Sequence, residues 1–275
     1  YGSLQELVHT ALENLDFNEL YAAAMEAADF SEHTANYHLS DNDINVGGQK
    51  SKYQDNVAAI RLLKELESAG RSAAPEEQAV LARYSGWGGI PQAFDERNEK
   101  WAAEYAELKT LLTAEEYAAA RGSTLNAHYT TPMVIRKMYE GLARMGIQPK
   151  TILEPAMGVG NFFGCLPEEY QNAALYGVEL DSISGRIARQ LYPEANITID
   201  GFERVTLPDN AFDLAVGNVP FGSYKLTEAR YSASNFLIHD HFFAKSLDKV
   251  RPGGVIAFIT SSGTMDKRTS KVRRY

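Results

Sequence analysis

The chain has 275 residues, of which 44% are hydrophobic, enough for one large or two small globular domains. No apolar run approaches the roughly 20 residues that a membrane-spanning helix needs, and the opening Tyr1-Gly-Ser lacks the features of a signal peptide. A single cysteine, Cys165, excludes an intramolecular disulfide and a thiolate metal cluster. We therefore expect a soluble, cytoplasmic protein with no metal and no membrane partner.

The net charge of −9 is distributed unevenly. Residues 1–125 contain 10 lysines and arginines against 21 aspartates and glutamates, whereas residues 126–275 contain 17 against 15. The acidity therefore belongs to the N-terminal part. Five positive charges near the C-terminus suit either a contact with phosphates or a solvated tail: Lys267, Arg268, Lys271, Arg273 and Arg274.

Residues 1–125 are predicted to form a helical N-terminal region. Three patterns of Ser or Thr followed three residues later by Glu or Gln each open a segment with apolar residues at helical spacing: Ser3-Leu-Gln-Glu6, Ser51-Lys-Tyr-Gln54 and Thr113-Ala-Glu-Glu116. Between the first two patterns, the polar stretch 31–48 predicts a long loop or an irregular extended stretch.

A glycine-rich run, Tyr84-Ser-Gly-Trp-Gly-Gly-Ile-Pro91, interrupts these helices. Three glycines around one tryptophan predict a tight turn that is anchored by a buried indole. A role in closing a ligand pocket is the second interpretation of the same run.

From residue 126 the apolar periodicity changes. Thr131-Pro132 predicts a helix start, with Thr as the cap and Pro in the first turn, leading into residues 133–144. Short β-like runs at 151–153, 174–178, 197–199, 212–216 and 255–260 then follow, with helical runs at 181–191 and 236–250. This alternation predicts an α/β domain over residues 126–275, in which helices cover a doubly wound parallel sheet.

In such a sheet a ligand binds outside the carboxyl ends of the strands. Polar or glycine residues follow four predicted strands of this chain: Glu154 with the Gly158 turn, Glu179 with Asp181, Asp200-Gly-Phe202, and Asn218-Val-Pro-Phe221. We expect these four strand ends to converge on one crevice.

The first two strand ends suit a nucleoside cofactor. Gly158-Val-Gly160 lets the backbone approach a ligand closely, and Glu179 lies 19 positions beyond Gly160, where a carboxylate can reach both ribose hydroxyls. The glycine spacing is one residue longer than in the dinucleotide fingerprint, and Glu154-Pro155 places a negative charge where a pyrophosphate would approach. That charge would repel a dinucleotide and attract an amino group.

S-adenosylmethionine is the cofactor that these strand ends predict. Glu154 would face its methionine moiety, Glu179 its ribose, and Asp200 with Phe202 its adenine. Each acid could instead be a helix N-terminal residue that interacts with the helix dipole, which alone would explain Asp181.

The fourth strand end suits an amine substrate. Methyl transfer to an amino nitrogen needs positioning more than a metal, together with acceptors that bind its N–H groups and localise its lone pair. The Asn218 side-chain oxygen and the Val219 carbonyl are the candidate acceptors. Pro220 would stiffen the loop and Phe221 could stack on a base rotated out of the duplex. An ordinary strand-to-loop exit is the competing interpretation.

With these residues the chain resembles the N6-adenine DNA methyltransferases. Their target motif is Asn or Asp, Pro, Pro, then Tyr or Phe, and it follows the cofactor motif, as in the gamma-like order. Tyr129-Thr-Thr-Pro132 resembles the motif that lines the methionine end in that family, which implies cofactor contacts for Tyr129, Thr131 and Pro132. The resemblance covers residues 126–262 and implies a Rossmann-like S-adenosylmethionine-dependent methyltransferase fold that acts on DNA.

Two further runs, 85–91 and His239-Asp-His-Phe-Phe243, resemble the large methylase-helicase proteins of mobile elements. The chain also begins at Tyr1 and stops after Arg274-Tyr275 with no terminating pattern. We therefore expect a piece of a longer protein, with a methyltransferase domain truncated at its C-terminus and a helicase portion beyond it. Because His239 and His241 lie two residues apart and do not share a helix face, we expect solvated or packed histidines rather than metal ligands.

One departure from the family pattern is Val219, which occupies the position of the first Pro. The proposed acceptor at that position is the backbone carbonyl, which valine also has. Two alternatives stay open: a methyltransferase for another planar amine or amide, such as protein glutamine or RNA guanine, and a non-catalytic module that binds the cofactor or DNA within a larger protein.

Overall fold

The protein is described by a computed structural model that covers residues 35–40, 43, 47–124, 129–261, 264, 266 and 271–275. Residues 35–275 belong to one compact unit. Among the described residues, no helix is long and apolar enough to cross a membrane. The capping box predicted at Ser3 lies outside the described residues, and the loop predicted over 31–48 is described only in part.

The described part of the N-terminal region is helical. Its helices are α1 (Gln49–Ala69), α2 (Pro75–Leu81), α3 (Ala102–Leu111) and α4 (Ala114–Ser123). The capping box predicted at the start of α4 is confirmed, because the Thr113 hydroxyl accepts from the Glu116 N–H and the Glu116 carboxylate accepts from the Thr113 N–H.

The capping box predicted at Ser51 is wrong. Helix α1 begins earlier, at Gln49, after the extended residue Gly48, and Ser51 lies within it. The first turn of α1 faces other parts of the chain, since Gln49 and Lys52 donate hydrogen bonds to the backbone carbonyls of the glycine-rich run. These long-range partners fix where the helix begins, and a local pattern does not contain them.

The α/β part follows with five strands and five helices among the described residues. The strands are β1 (Thr151–Glu154), β2 (Ala174–Glu179), β3 (Asn196–Ile199), β4 (Phe212–Asn218) and β5 (Val250–Ile259), and the helices are α5 (Pro132–Arg144), α6 (Asn161–Gly164), α7 (Ser182–Leu191), α8 (Ile238–Lys249) and α9 (Lys271–Arg274). All neighbouring strands pair in parallel, in the order β3-β2-β1-β4-β5. The predicted doubly wound, Rossmann-like sheet is confirmed, with its switch point between β1 and β4.

The five strands predicted from the sequence are all present, and the largest difference concerns β5. This strand begins at Val250 rather than Val255, and its pairing with β4 shifts register between Phe212 and Leu214. The shift accommodates a Pro-Gly-Gly run in which Gly253 has a φ of 82°. A run of that composition indicates a turn, but here it forms a bulge inside the strand.

The sheet separates two hydrophobic cores because successive strand residues point to opposite faces. Ile152 and Leu214 belong to the core that also contains the residues of α1, α2 and α7, whereas Leu153 and Ala215 belong to the core beneath α8. The first core is continuous across residue 126, so the helices of the N-terminal region and the sheet share one interior.

An ion-pair network also joins the N-terminal helices to α7. Arg186 on α7 binds both carboxylate oxygens of Glu67, at 2.6 and 2.7 Å, and one oxygen of Glu116 at 2.7 Å. Glu116 is only 8% exposed and also accepts from Lys64. Burial alone would raise the pKa of Glu116, but the Thr113 N–H, Arg186 and Lys64 together hold that pKa at about 2. The network is therefore charged at neutral pH.

Candidate functional site

A cleft of about 510 Å³ opens where β1, β2, β3 and β4 end. Glu154, Glu179, Asp200 and Asn218 all line it, one from each strand end. The structure thus brings together the four strand ends that the sequence predicts to converge. Of the predicted site residues, those that line the cleft are Tyr129, Glu154, Pro155, Gly158, Glu179, Asp200, Phe202, Asn218, Val219, Pro220 and Phe221.

Glu154 is a buried carboxyl at the floor of the cleft. It is 1% exposed, and within the described part of the chain no donor reaches its Oε2 atom. Burial, with a contribution from the charge of Glu179, raises the pKa of Glu154 well above its usual range. A carboxyl in this state keeps its proton until a cationic group arrives, so it suits an ammonium ligand.

Glu179 ends β2 and is held by two backbone donors. Its Oε2 accepts from the Gly158 N–H and its Oε1 from the Asp181 N–H, each at 2.7 Å. Burial raises the pKa of Glu179 to about 7 in spite of these donors, and the charge of Asp181 contributes to the increase. Each carboxylate oxygen keeps a second lone pair, which can accept a ligand hydroxyl.

Asp181 caps the N-terminus of α7. Its Oδ2 accepts from the N–H of Ser184 at 2.8 Å and from the Ser184 hydroxyl at 2.6 Å, which caps α7. The helix-terminus interpretation of this acid is therefore confirmed, although Asp181 also lines the cleft.

Tyr129 fits between two glycines at the side of the cleft. A Cβ atom added to Gly86 would lie 2.7 Å from Cε2 of the ring, and one added to Gly158 would lie 3.0 Å from Cε1. Both glycines have positive φ angles, 65° and 57°. The Tyr129 hydroxyl lies 3.2 Å from the Ser184 hydroxyl, and burial raises the Tyr129 pKa.

The end of β3 differs from the predicted adenine corner in one respect. Phe202 is buried, 2% exposed, and packs against Phe242 with ring centroids 5.0 Å apart. Asp200 instead lies at the rim, where it pairs with Arg204 and accepts from the Gly201 N–H. Arg204 lowers the Asp200 pKa, so this carboxylate is ionised and already paired. The sequence prediction did not include Arg204.

The loop after β4 forms the opposite wall. Asn218 is the last residue of β4 and Val219 is buried, 1% exposed, with its N–H donating to the Ile259 carbonyl at 3.1 Å. Phe221 is 47% exposed at the mouth of the cleft. An exposed ring next to a buried strand end can stack on an incoming planar group.

Three predicted cofactor residues do not line the cleft. Thr131 is the N-cap residue of α5 and Pro132 is its first residue, so both shape the start of that helix. Gly160 has a φ of 86°, and a Cβ there would lie 2.5 Å from the ring of Tyr192, beneath the turn. Thr130, which lies between Tyr129 and Thr131, is the residue of that segment that joins Tyr129 in the lining.

Comparisons with known proteins show partial similarity to methyltransferases. No protein-family model matches the chain. Defense against restriction protein B of Escherichia phage P1 is 29% identical over 208 residues, which are 74% of this chain and 8% of that protein. Type II methyltransferase M.XamI of Xanthomonas campestris pv. amaranthicola is 30% identical over 167 residues, which are 53% of this chain and 32% of that protein.

Modification methylase CviBIII of Paramecium bursaria Chlorella virus NC1A is 27% identical over 141 residues, or 49% of this chain and 37% of that protein. The chain is thus similar in sequence to a type II methyltransferase and to a modification methylase. It spans about a third of the length of the two methyltransferases, and far less of the phage protein. Among solved structures, a Listeria monocytogenes protein described as a class I S-adenosylmethionine-dependent methyltransferase matches 82% of this chain and 77% of its own, at 15% identity and a TM-score of 0.45.

The departure of this chain from the family pattern at Val219 has a structural counterpart. The N–H of Val219 extends the pairing of β4 with β5 through its bond to Ile259. A proline, which is usual at this position in the family that the chain resembles, has no N–H and could not form that bond. At position 219 the loop is therefore fixed by a sheet hydrogen bond instead of a pyrrolidine ring, and Pro220 supplies the ring at the next position.

Several residues that line the cleft were not predicted from the sequence. Helix α4 and the glycine-rich run contribute Tyr84, Gly86, Ala119, Gly122 and Ser123. None of these side chains carries a charge, and they lie far from the strand ends in sequence. The glycine-rich run was the available signal, through its second interpretation as part of a ligand pocket.

The two histidines of α8 are packed rather than solvated. His239 is 4% exposed and His241 is 2% exposed. His241 Nε2 lies 2.9 Å from a carboxylate oxygen of Glu228, and burial lowers the His241 pKa. Among the residues that the structure describes, no group of three or more potential ligands could hold a metal ion.

Proposed function

We propose that this chain binds S-adenosylmethionine and transfers its methyl group to the N6 amine of an adenine rotated out of a DNA duplex. The observation that carries the proposal is that one cleft is lined by the glycine turn at Gly158, by the acidic strand end at Glu179 and by the Asn218–Phe221 loop. A cofactor and an amine substrate could therefore meet in the same space.

The residues at the closed end of the cleft fit the cofactor. Glu154 has a buried oxygen to which no described residue donates, and the ammonium of a methionine moiety would supply that partner. Glu179 is fixed by two backbone N–H groups and can still accept from ribose hydroxyls. Gly158 has a φ of 57°, and its lack of a side chain makes room for the Tyr129 ring beside the cleft.

Adenine of the cofactor would lie beside Phe202. The buried ring of Phe202 offers an apolar face, and the adjacent Asp200 offers a carboxylate for the exocyclic amine. Asp200 is paired with Arg204, whose Nε lies 2.6 Å from Oδ1. The second oxygen, Oδ2, would be the one that accepts from adenine.

The bound cofactor supplies a methyl group that its sulfonium already activates. The chain then has to hold the amine and stabilise the positive charge that develops on it. We assign the two acceptor positions to the side-chain oxygen of Asn218 and the carbonyl of Val219. Pro220 and the bond from Val219 to Ile259 hold these acceptors in place, and Phe221 would stack on the base.

DNA as the partner is supported by the homology to type II methyltransferases and by the acceptor pair suited to an adenine amine. A position within a larger, helicase-containing protein of a mobile element is a further part of the proposal. The phage P1 protein, of which the matched region is only 8%, supports the larger size, and the helicase portion rests on the resemblance of residues 85–91 and 239–243.

Calorimetric titration of the chain with S-adenosylmethionine, with NADH as a control, tests the cofactor part. We expect binding at micromolar concentration for the first ligand and none for the second, because NADH has no ammonium group to offer the buried Glu154 carboxyl. Binding of NADH, or of neither ligand, would contradict the proposal. Assays with labelled cofactor on DNA, RNA and a glutamine peptide would separate the adenine substrate from guanine and from amide substrates.

A further inference from the structure

The glycine-rich run forms a turn, residues 84–89, that we call the Gly86 turn. Its tryptophan, Trp87, is 1% exposed, so the predicted indole anchor is present. Tyr84 and Gly86 from the same turn line the cleft. Both interpretations of this run are thus represented in the structure, and the second has consequences for the ligand site.

Three side chains from one face of α1 hold the backbone of the Gly86 turn. Gln49 and Lys52 donate to the carbonyls of Gly89 and Gly88, each at 2.8 Å. Asn56, which is fully buried, donates to the Gly86 carbonyl at 2.7 Å and accepts from the Ser85 N–H at 2.9 Å. Residues at this spacing lie along one side of a helix, so α1 presents a row of partners to the turn.

The turn contacts the cleft through Tyr129. The position of Gly86 leaves no space for a side chain, because its Cβ would lie 2.7 Å from the Tyr129 ring. The opposite edge of the ring meets Gly158, which binds Glu179 through its N–H. Tyr129 is therefore confined between the Gly86 turn and the glycine turn that follows β1.

A polar chain connects Tyr129 to the end of β2. The Tyr129 hydroxyl lies 3.2 Å from the hydroxyl of Ser184, which donates to Asp181. Asp181 in turn donates its N–H to Glu179. The Gly86 turn thus reaches the proposed ribose carboxylate through its packing on Tyr129 and the hydrogen bonds that follow from it.

We propose that Tyr84 and Gly86 are part of the cofactor site: Gly86, held by α1, sets the position of Tyr129 against Gly158 and so shapes the pocket for S-adenosylmethionine. Asn56 is then a positioning residue, which acts through Gly86 and Tyr129. This inference rests on the proposed cofactor. It gives the N-terminal helices a role in ligand binding.

The chain offers a matched pair of variants that isolates this contact. Gly86→Ala and Gly89→Ala both place alanine at a positive φ, 65° and 79°, in the same turn. A Cβ at Gly89 meets nothing within 4 Å, whereas one at Gly86 meets the Tyr129 ring. The strain of the left-handed backbone is therefore common to both variants, and only Gly86→Ala displaces Tyr129.

Calorimetry with S-adenosylmethionine should show affinity within about twofold of the unchanged chain for Gly89→Ala, and about tenfold weaker or worse for Gly86→Ala. Thermal unfolding of both variants checks that each is folded. Equal affinities for the two variants would overturn the inference while leaving the proposed cofactor intact. If the unchanged chain bound no S-adenosylmethionine, the proposed function and the inference would both fail.

A double-mutant cycle tests whether the effect passes through Tyr129. Once Tyr129→Ala has removed the ring, Gly86→Ala should weaken cofactor binding by less than about twofold further. The double variant also removes the clash, so it provides the comparison even if Gly86→Ala alone does not fold. An equally large loss in the Tyr129→Ala background would show that the turn acts elsewhere.

Discussion

Replacement of Glu179 by glutamine should make the ligand-free fold less sensitive to pH and should weaken cofactor binding. Glutamine has nearly the same shape but cannot ionise. The carboxylate of Glu179 lies at the end of β2, where burial raises its pKa to about 7. The side chain is ionised above that pH although the fold disfavours the charge, as expected for a carboxylate that serves a ligand.

The magnitude follows from that pKa. A shift from 4.5 to about 7 corresponds to about 3 kcal/mol at 1.36 kcal/mol for each pKa unit. Because the folded state holds the Glu179 proton more tightly than the unfolded state, protonation stabilises the fold. This stabilisation is complete below about pH 4.5 and is lost as the pH rises through about 7. Glu179 keeps some exposure, so 3 kcal/mol is an upper bound, and we expect the free energy of unfolding to fall by about 2 kcal/mol between pH 5 and 8.

The substitution also has a constant penalty. In glutamine an NH₂ group replaces one carboxylate oxygen, and this group cannot accept from the backbone N–H of Gly158 or Asp181. The lost hydrogen bond costs about 1 kcal/mol. This penalty does not depend on pH. The informative quantity is therefore how the difference in free energy of unfolding between the two proteins changes with pH.

Urea unfolding of both proteins at pH 5, 6, 7 and 8 measures that quantity. From pH 5 to pH 8 the free energy of unfolding of the unchanged chain should fall by about 2 kcal/mol more than that of Glu179→Gln. Glu154 is present in both proteins and adds to the pH dependence of each. At pH 8 the variant should bind S-adenosylmethionine roughly tenfold or more weakly, since a charged hydrogen bond is worth about 1.5–3 kcal/mol. Parallel pH profiles would refute the account of Glu179.

Three further predictions concern the target loop and the helical layer. Asn218→Ala should reduce the rate of methyl transfer about 10²-fold or more, with cofactor affinity unchanged in calorimetry. Asn218→Asp keeps an acceptor and should retain measurable transfer. Equal rates for the two variants would exclude the acceptor role. Phe221→Ala should raise the KM for DNA by an amount equivalent to about 1–3 kcal/mol of base stacking, and Phe221→Tyr should not; unchanged DNA kinetics in the alanine variant would exclude stacking. Arg186→Met should lower the free energy of unfolding by about 2 kcal/mol at pH 7 and by less at pH 3. The depressed pKa of Glu116 contributes stability that is lost as the pH falls from about 4.5 towards 2. An equal loss at pH 7 and pH 3 in urea unfolding would contradict the charged network.

The strand ends could be predicted because their signals are local. An apolar run followed by an acid or by Asn-x-Pro is visible in the sequence, and parallel pairing places all such ends at one edge of the sheet. Glu154, Glu179 and Asn218 accordingly lie together in the cleft. The helix start at Thr131 and the capping box at Thr113 were predictable for the same reason.

The remaining wall of the cleft depends on contacts between distant parts of the chain. Gly86 and Ser123 line the site because α1 and α4 dock on α7, and that docking uses Arg186, Glu67 and Glu116. Each of these charges taken alone is typical of a solvated helix face. Their pairing over more than 60 residues has no periodic signature, so the predicted site lacked this side.

One local error and one omission also concern partners that the sequence prediction did not include. Ser51 was predicted to cap a helix, but α1 starts at Gln49 because its first turn finds partners in the Gly86 turn. Arg204, which pairs with Asp200 at the rim of the cleft, was absent from the predicted site. The spacing of four residues between those two charges was a signal that could have indicated the pair.

The central claim is transfer of a methyl group to adenine N6 in DNA, and it is tested most directly by the product. DNA incubated with the chain and isotopically labelled S-adenosylmethionine would be digested to nucleosides and analysed by mass spectrometry. The account predicts labelled N6-methyldeoxyadenosine, which disappears with Asn218→Ala. Label on cytosine, or no label in DNA from a chain that binds the cofactor, would contradict it.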